Sequence, residues 1–180
     1  MNHKKVHFPR RRATFYLKDA RRTNTLSSCL AECLLDMHLY PVLLLEGGLG
    51  AGKTTFIREL VNNLPGGHES EVSSPSFNLV NYYPTSPEVS HFDLYRLELT
   101  GIDPDLEEEI LSGNDKLIVI EWSNFLPPDL QPDKNFRLTF NICPQGREVA
   151  IQTDQYDLLD CLTGKAQKKG IPFQEENQCV

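Results

Sequence analysis

The chain has 180 residues, 39% of them hydrophobic and 24% charged, with a formal net charge of −7. That length closes one hydrophobic core, no run approaches the ~20 consecutive apolar residues of a membrane span, and the acidic balance argues against gripping nucleic acid by counterion release. The five cysteines are Cys29, Cys33, Cys143, Cys161 and Cys179; only the first two are close, with no second pair to complete a zinc site, so they read as reduced thiols of a cytoplasmic protein.

The first residues are basic (Lys4, Lys5, Arg10, Arg11, Arg12) without the apolar stretch of a secretory signal; they can be read as an organelle-targeting leader, but the strand that starts at once favours a short solvated extension over residues 1–12. Residues 13–17 read as a strand and residues 25–38 as an amphipathic helix. After Pro41 comes the apolar run Val42-Leu43-Leu44-Leu45, a buried strand. Phe56, Ile57, Leu60, Val61 and Leu64 then recur at helical spacing. Residues 68–76 are loop-like, and strands follow over 77–83 and 89–95 around Pro84 and Pro87. Asp103-Pro104 is a helix start, with Asp as N-cap and Pro in the first helical position, leading into residues 106–111. Leu117-Ile118-Val119-Ile120 is continuously apolar, as in a sheet buried on both faces. Residues 136–142 and 148–153 alternate around Gln145-Gly146, an antiparallel hairpin pattern. The polar tail 163–180 reads as disordered.

Between the first buried strand and the helix behind it lies Gly47-Gly48-Leu49-Gly50-Ala51-Gly52-Lys53-Thr54, which matches G-x-x-x-x-G-K-[ST]. Strand, glycine loop and helix form the context of a phosphate-binding P-loop. The glycines let backbone N–H groups converge on phosphate oxygens, and the helix N-terminus adds partial positive charge. A chance glycine-rich turn would match the four fixed positions on the order of once in a hundred chains of this length. On this reading the amides of Gly48, Leu49, Gly50, Ala51, Gly52 and Thr55 cradle phosphate. Lys53 supplies a point charge and the Thr54 hydroxyl ligates Mg²⁺. Residues 13–162 then form one P-loop domain, an α/β fold with a mixed, mainly parallel central sheet flanked by helices.

Such a site needs a second acid near the metal and a group that orients water. Glu121 closes the second buried strand, where it serves either as a metal carboxylate or as the polar mark of a strand exit. Asp93, inside Val89-Ser90-His91-Phe92-Asp93-Leu94-Tyr95-Arg96, is compatible with the catalytic role and equally with an exposed strand position paired to Arg96. Ser73-Ser74-Pro75-Ser76-Phe77 fits a loop that senses γ-phosphate, and equally a plain polar loop. Trp122 reads as core or site wall, His91 as a hydrogen-bonded strand residue, and Tyr82, Tyr83 and Tyr95 as core packing or an aromatic patch.

Taken together, GGLGAGKTT, SSPSF, HFDLYR and IEW, in this order and spacing, resemble the bacterial TsaE (YjeE) ATPases over roughly residues 20 to 150. GKTT alone is generic; HFDLYR followed by IEW is specific. The resemblance implies a P-loop fold, ATP and Mg²⁺ as cofactors, weak intrinsic hydrolysis, and formation of N6-threonylcarbamoyladenosine beside the tRNA anticodon. It also implies docking onto a TsaB–TsaD complex that ATP turnover resets, with tRNA met only through that complex. By position, Lys53 and the loop amides hold phosphates, Thr54 and Glu121 ligate magnesium, and Asp93 falls on the catalytic acid. Thr23 sits where the family has a threonine near the adenine, although the glycine usually found four residues later is Ser27 here. Gly146-Arg147 matches a late pair that approaches the nucleotide, and Ser76 stands where the family usually has Thr. The basic N-terminal extension and the tail beyond about Thr163 find no counterpart.

A small-molecule or nucleotide kinase would begin with the same loop, but no arginine-rich lid segment follows. A regulatory GTPase would carry an Asn-Lys-x-Asp guanine-reading segment, and this chain has none.

Overall fold

In a computed structural model of the chain, the residues described are 10–75, 78–98, 104–112 and 115–177. The expected roles of Ser76, Phe77, Asp103 and most of the basic extension fall outside them.

The two apolar runs become neighbouring strands at the centre of an eight-stranded sheet: β2 (Val42–Gly47) and β5 (Leu117–Glu121). Leu43, Leu45, Leu117 and Val119 point to one face, where they meet Phe56, Ile57 and Leu60 of α2 (Lys53–Asn62) and Leu26, Leu30 and Leu34 of α1 (Ala20–Met37). Leu44, Ile118 and Ile120 point to the other face and pack with Ile110 of α3 (Pro104–Ser112) and with Leu126 and Leu130 in short turns. Burial on both faces is why these strands show no alternation in sequence.

The remaining strands are β1 (Arg11–Leu17), β3 (Val80–Tyr83), β4 (Val89–Asp93), β6 (Asn135–Cys143), β7 (Gly146–Thr153) and β8 (Phe173–Asn177). Their order across the sheet is β3-β4-β5-β2-β6-β7-β1-β8. The stretch β4-β5-β2-β6 is parallel, while β3, β7, β1 and β8 add antiparallel pairs at its two ends. The single α/β domain and mixed sheet are as expected from the sequence. The expectation of a mainly parallel sheet needs correction, since four pairs are antiparallel and three parallel. The hairpin and the two strands stacked beyond it account for the excess.

The tail is the second correction. Residues 163–168 continue α4 (Tyr156–Lys168), and β8 pairs with β1 from Phe15↔Phe173 to Arg11↔Asn177. The helix forms because Leu158, Leu159, Leu162 and Ala166 make one buried stripe against α1, with polar residues on the outer face. Arg11 and Arg12, read as extension, belong to β1. The third correction concerns the thiols. Cys33 of α1 and Cys161 of α4 form a disulfide, their Cα atoms 6.0 Å apart, while Cys29 and Cys143 are free. Antiparallel packing of two helices 128 residues apart in sequence brings that pair together, which sequence spacing could not reveal.

Candidate functional site

The P-loop forms because β2 enters and α2 leaves through glycines held in left-handed conformations. At Gly47, with φ +140°, a Cβ would strike the carbonyl of Phe140 on the neighbouring strand. At Gly52, with φ +103°, it would collide with the Arg147 guanidinium. The turn is closed by the Ala51 N–H donating to Gly48 O at 3.2 Å. The two long helices start differently. Asp19 caps α1, its Oδ1 accepting the Arg22 N–H at 2.9 Å, whereas no side chain caps α2. The first amides of α2 are thus left for an anion.

Lys53, only 4% exposed, folds back over this loop. Its Nζ donates to Gly47 O at 2.7 Å and to Gly48 O at 3.2 Å, and lies 3.9 Å from the centre of the Trp122 ring. Burial pushes its pKa below the ordinary lysine value, and the charges of Glu121 and Asp93 offset part of that shift. The Thr54 hydroxyl donates to Glu121, 2.8 Å from Oε1 and 3.1 Å from Oε2. Glu121 ends β5 directly beside Asp93, which ends β4 in parallel register. Each carboxylate is 2% exposed. Asp93 accepts the Tyr95 N–H at 3.0 Å on Oδ1 and the Ser74 hydroxyl on Oδ2.

Lys53, Thr54, Thr55, Ser74, Asp93 and Glu121 therefore line one cavity of about 400 Å³, with Leu49, Gly50 and Gly52 at its P-loop side and Tyr95, Arg96 and Trp122 opposite. Oxygen donors at Thr54 and Glu121, with Asp93 one strand away, suit a hard cation that keeps several waters and takes its other ligands from phosphate. Among the described residues no group of three or more His, Cys, Asp or Glu could hold a metal ion alone.

Arg147 reaches the loop from the other side, donating from Nη1 to Ala51 O at 3.1 Å. Beyond it opens a cavity of about 500 Å³, walled by Tyr16, Leu17, Lys18, Arg22, Pro144 and Gln145 among others. Gly146, at φ +135°, lets the hairpin turn press against Leu17 and Lys18. Thr23 is not brought into either cavity. It is fully buried near the start of α1, its hydroxyl 3.4 Å from the Asp19 carbonyl. Ser27 is buried at the helix–helix contact, donating to Phe56 O at 2.6 Å, which explains why only a small residue suits that position.

The sequence singled out neither Tyr95 nor Arg96 as wall residues. Tyr95 stacks on Trp122 with ring centres 4.8 Å apart, and Trp122 holds a left-handed conformation (φ 56°, ψ 39°) that bulky residues rarely adopt. The residues one to three places after the acids, in DLYR and EWS, were the available signal. His91 is fully buried with Nε2 3.0 Å from Glu121 Oε1, a contact visible only once the strands are paired.

Known proteins share this arrangement of sequence. Residues 17–149 match the family described as threonylcarbamoyl adenosine biosynthesis protein TsaE. The tRNA threonylcarbamoyladenosine biosynthesis protein TsaE of Rickettsia felis is 40% identical over 118 residues, covering 64% of this chain and 66% of that protein. The proteins of the same name in Borreliella burgdorferi and Haemophilus influenzae are each 36% identical over 118 residues, 61% of this chain and 80% and 70% of theirs. The chain spans 66%, 64% and 62% of the length of the rickettsial relatives it matches in R. felis, R. conorii and R. prowazekii. The crystal structure of Bacillus subtilis YdiB superposes with a TM-score of 0.64 at 18% identity, covering 92% of this chain and 100% of that one, a likeness of fold. With a family match that runs from the end of β1 through the P-loop and both acidic strand ends into β7, this chain belongs to the TsaE family.

Proposed function

We propose that this chain is a Mg²⁺-dependent ATPase that serves formation of N6-threonylcarbamoyladenosine in tRNA, acting on a TsaB–TsaD complex rather than on tRNA itself. The observation that carries the reading is the convergence of Thr54, Glu121 and Asp93 at the mouth of the P-loop, with the Thr54 hydroxyl 2.8 Å from Glu121. The uncapped start of α2 and Lys53 bind the β- and γ-phosphates, and Lys53 exchanges two backbone carbonyls for phosphate oxygens. Thr54 and Glu121 would hold Mg²⁺, which when bound would supply positive charge against the phosphates. Asp93, anchored through Tyr95 N and Ser74, orients the water that attacks the γ-phosphorus. The bond to the β,γ-bridging oxygen breaks, leaving ADP and phosphate. Arg147 and the cavity beyond it take the nucleoside end.

Among the described residues no helix is long and apolar enough to cross a membrane. The cytoplasm, where tRNA is modified, is the compartment this reading assigns.

Titration with ATP and GTP, read by the fluorescence of Trp122 above Lys53, tests the nucleotide assignment. Adenine nucleotide should bind in a Mg²⁺-dependent manner and guanine nucleotide much more weakly. Equal affinities would defeat the adenine assignment. Sedimentation with TsaB–TsaD under ATP analogue, ADP and no nucleotide tests the partner, and complex formation should follow the ATP state.

A further inference from the structure

One polar chain runs behind the two carboxylates. The β4 register pairs His91 with Val119 and Asp93 with Glu121, so His91 and Asp93 project from the same face of the strand. On the antiparallel neighbour β3, Asn81 lies opposite His91, and Tyr83 projects beside it. His91 Nε2 is 3.0 Å from Glu121 Oε1, and His91 Nδ1 is 3.4 Å from the Tyr83 hydroxyl. That hydroxyl is 3.3 Å from the Ser73 carbonyl, which also accepts from Asn81 Nδ2 at 3.1 Å. The next residue, Ser74, donates to Asp93. The circuit starts on one carboxylate and ends on the other.

We propose that His91 and Tyr83 are positioning residues that couple Glu121 to the serine loop, so that a change at the metal end alters how firmly the loop holds Asp93. The proposal rests on the nucleotide reading above. A carboxylate accepts, so His91 Nε2–H donates to Glu121, and in the neutral ring Nδ1 becomes an acceptor. Tyr83 then has one hydroxyl proton and two acceptors, His91 Nδ1 and the Ser73 carbonyl. Any movement of Glu121 that draws the imidazole toward or away from Tyr83 shifts that proton between ring and loop. A histidine serving only to fill the core would need neither contact, since an apolar side chain satisfies the same volume without polar partners.

The test compares wild type with His91→Leu, His91→Gln and Tyr83→Phe. MgCl₂ is titrated against a fixed concentration of β,γ-imido-ATP, and hydrogen exchange is followed at residues 72–74 with and without ligand. His91→Leu should raise the half-saturating Mg²⁺ about 10–100-fold, the usual loss when a partner of a metal ligand is removed. Affinity for the analogue without Mg²⁺ should stay unchanged. His91→Gln, which keeps an N–H donor, should recover most of the Mg²⁺ response. Tyr83→Phe should leave Mg²⁺ affinity near wild type, yet speed exchange at 72–74 and abolish its slowing by Mg²⁺ and analogue. Wild-type exchange in Tyr83→Phe, or a Gln variant no better than Leu, overturns the relay. Should His91→Leu fail to fold, Tyr83→Phe and His91→Gln decide it. A wild-type protein whose analogue binding ignores Mg²⁺ overturns the nucleotide reading instead, and ligand-free exchange in Tyr83→Phe still decides the relay.

Discussion

The two ends of the sheet are stabilised by opposite means. At β4 and β5 the face toward α2 carries His91, Asp93 and Glu121 beneath Lys53 at the start of α2, all 4% exposed or less and satisfied by neighbouring side chains and by backbone. At β7, β1 and β8 the interior is apolar, with Phe15, Leu17, Val149 and Ile151 against Leu158, Leu159 and Leu162, and charge is kept outside. Arg11 pairs with Asp160 at 2.6 Å and Glu175 at 2.9 Å, and Lys165 and Lys169 pair with Glu32 at 3.2 and 2.6 Å. The Cys33–Cys161 disulfide closes that end covalently. Burying charge destabilises a fold unless every partner is in place. The first end therefore depends on polar contacts that the proposed nucleotide would rearrange, and the second on packing and ion pairs away from that site.

The largest expected effect tests whether the polar end is catalytic. Asp93→Ala should lower ATP turnover in the reconstituted complex by roughly 10²–10⁴-fold while leaving analogue binding nearly intact. Glu121→Ala should instead weaken Mg²⁺-dependent binding, because on the proposed reading the metal loses its carboxylate ligand. Calorimetric titration beside turnover separates the two. Unchanged turnover for Asp93→Ala would reduce that residue to a strand terminus.

The polar end was largely legible in the sequence and the apolar end was not. Gly47, Gly52, Lys53 and Thr54 lie within eight consecutive letters whose spacing has a fixed geometric meaning, and Glu121 was marked by the apolar run before it. Asp93 stayed ambiguous until parallel register placed it beside Glu121. The second end depends on long-range pairing. β8 reads Phe-Gln-Glu-Glu-Asn and becomes a strand only because β1 offers it an edge. The start of α1 was missed for a local reason: Asp19 caps it, which carries Arg21 and Arg22 into the helix, five residues ahead of Thr25.

Reduction of the disulfide tests the other end. Cys161→Ser, or dithiothreitol, should destabilise the protein by roughly 2–5 kcal/mol, since the bond closes a long loop of the unfolded chain. Thermal melting should fall by on the order of 10 °C. Mg²⁺-dependent analogue binding at 25 °C should not change, because neither cysteine lines the cavity around Lys53 and Glu121. A parallel loss of binding would show that the two ends are coupled.

Lys53 provides a smaller and sharper contrast. Its pKa is depressed by burial, so the folded state disfavours the ammonium form. That penalty is full below the lowered folded pKa, shrinks as pH rises above it, and is gone once pH passes the ordinary lysine pKa of the unfolded chain. Lys53→Met should therefore melt higher than wild type at neutral pH, with the gap closing as pH rises toward the ordinary lysine pKa. Nucleotide affinity runs the other way. Phosphate needs the ammonium, so wild-type affinity should fall as pH rises through the lowered folded pKa, and Lys53→Met should bind poorly at every pH.

The smallest effect is expected at Glu32, on the outer surface of α1. Lys169, 2.6 Å away, is the main influence holding its pKa below the usual glutamate range; partial burial opposes this and Lys165 adds to it. A carboxyl with a depressed folded pKa stabilises above its unfolded pKa, and that contribution is lost as pH falls through the folded value. Glu32 is 42% exposed in its side chain, so water and salt screen the pair and reduce its effect. Glu32→Gln should lower stability by only about 0.2–1 kcal/mol at neutral pH. The difference should vanish in acid below the folded pKa and shrink in 1 M salt. Melting curves of the two proteins at pH 7 and pH 3 would measure it. A difference that survives at pH 3 would mean that Glu32 acts through packing rather than charge, and the contrast between a charged interior at one end and a charged exterior at the other would lose its electrostatic basis.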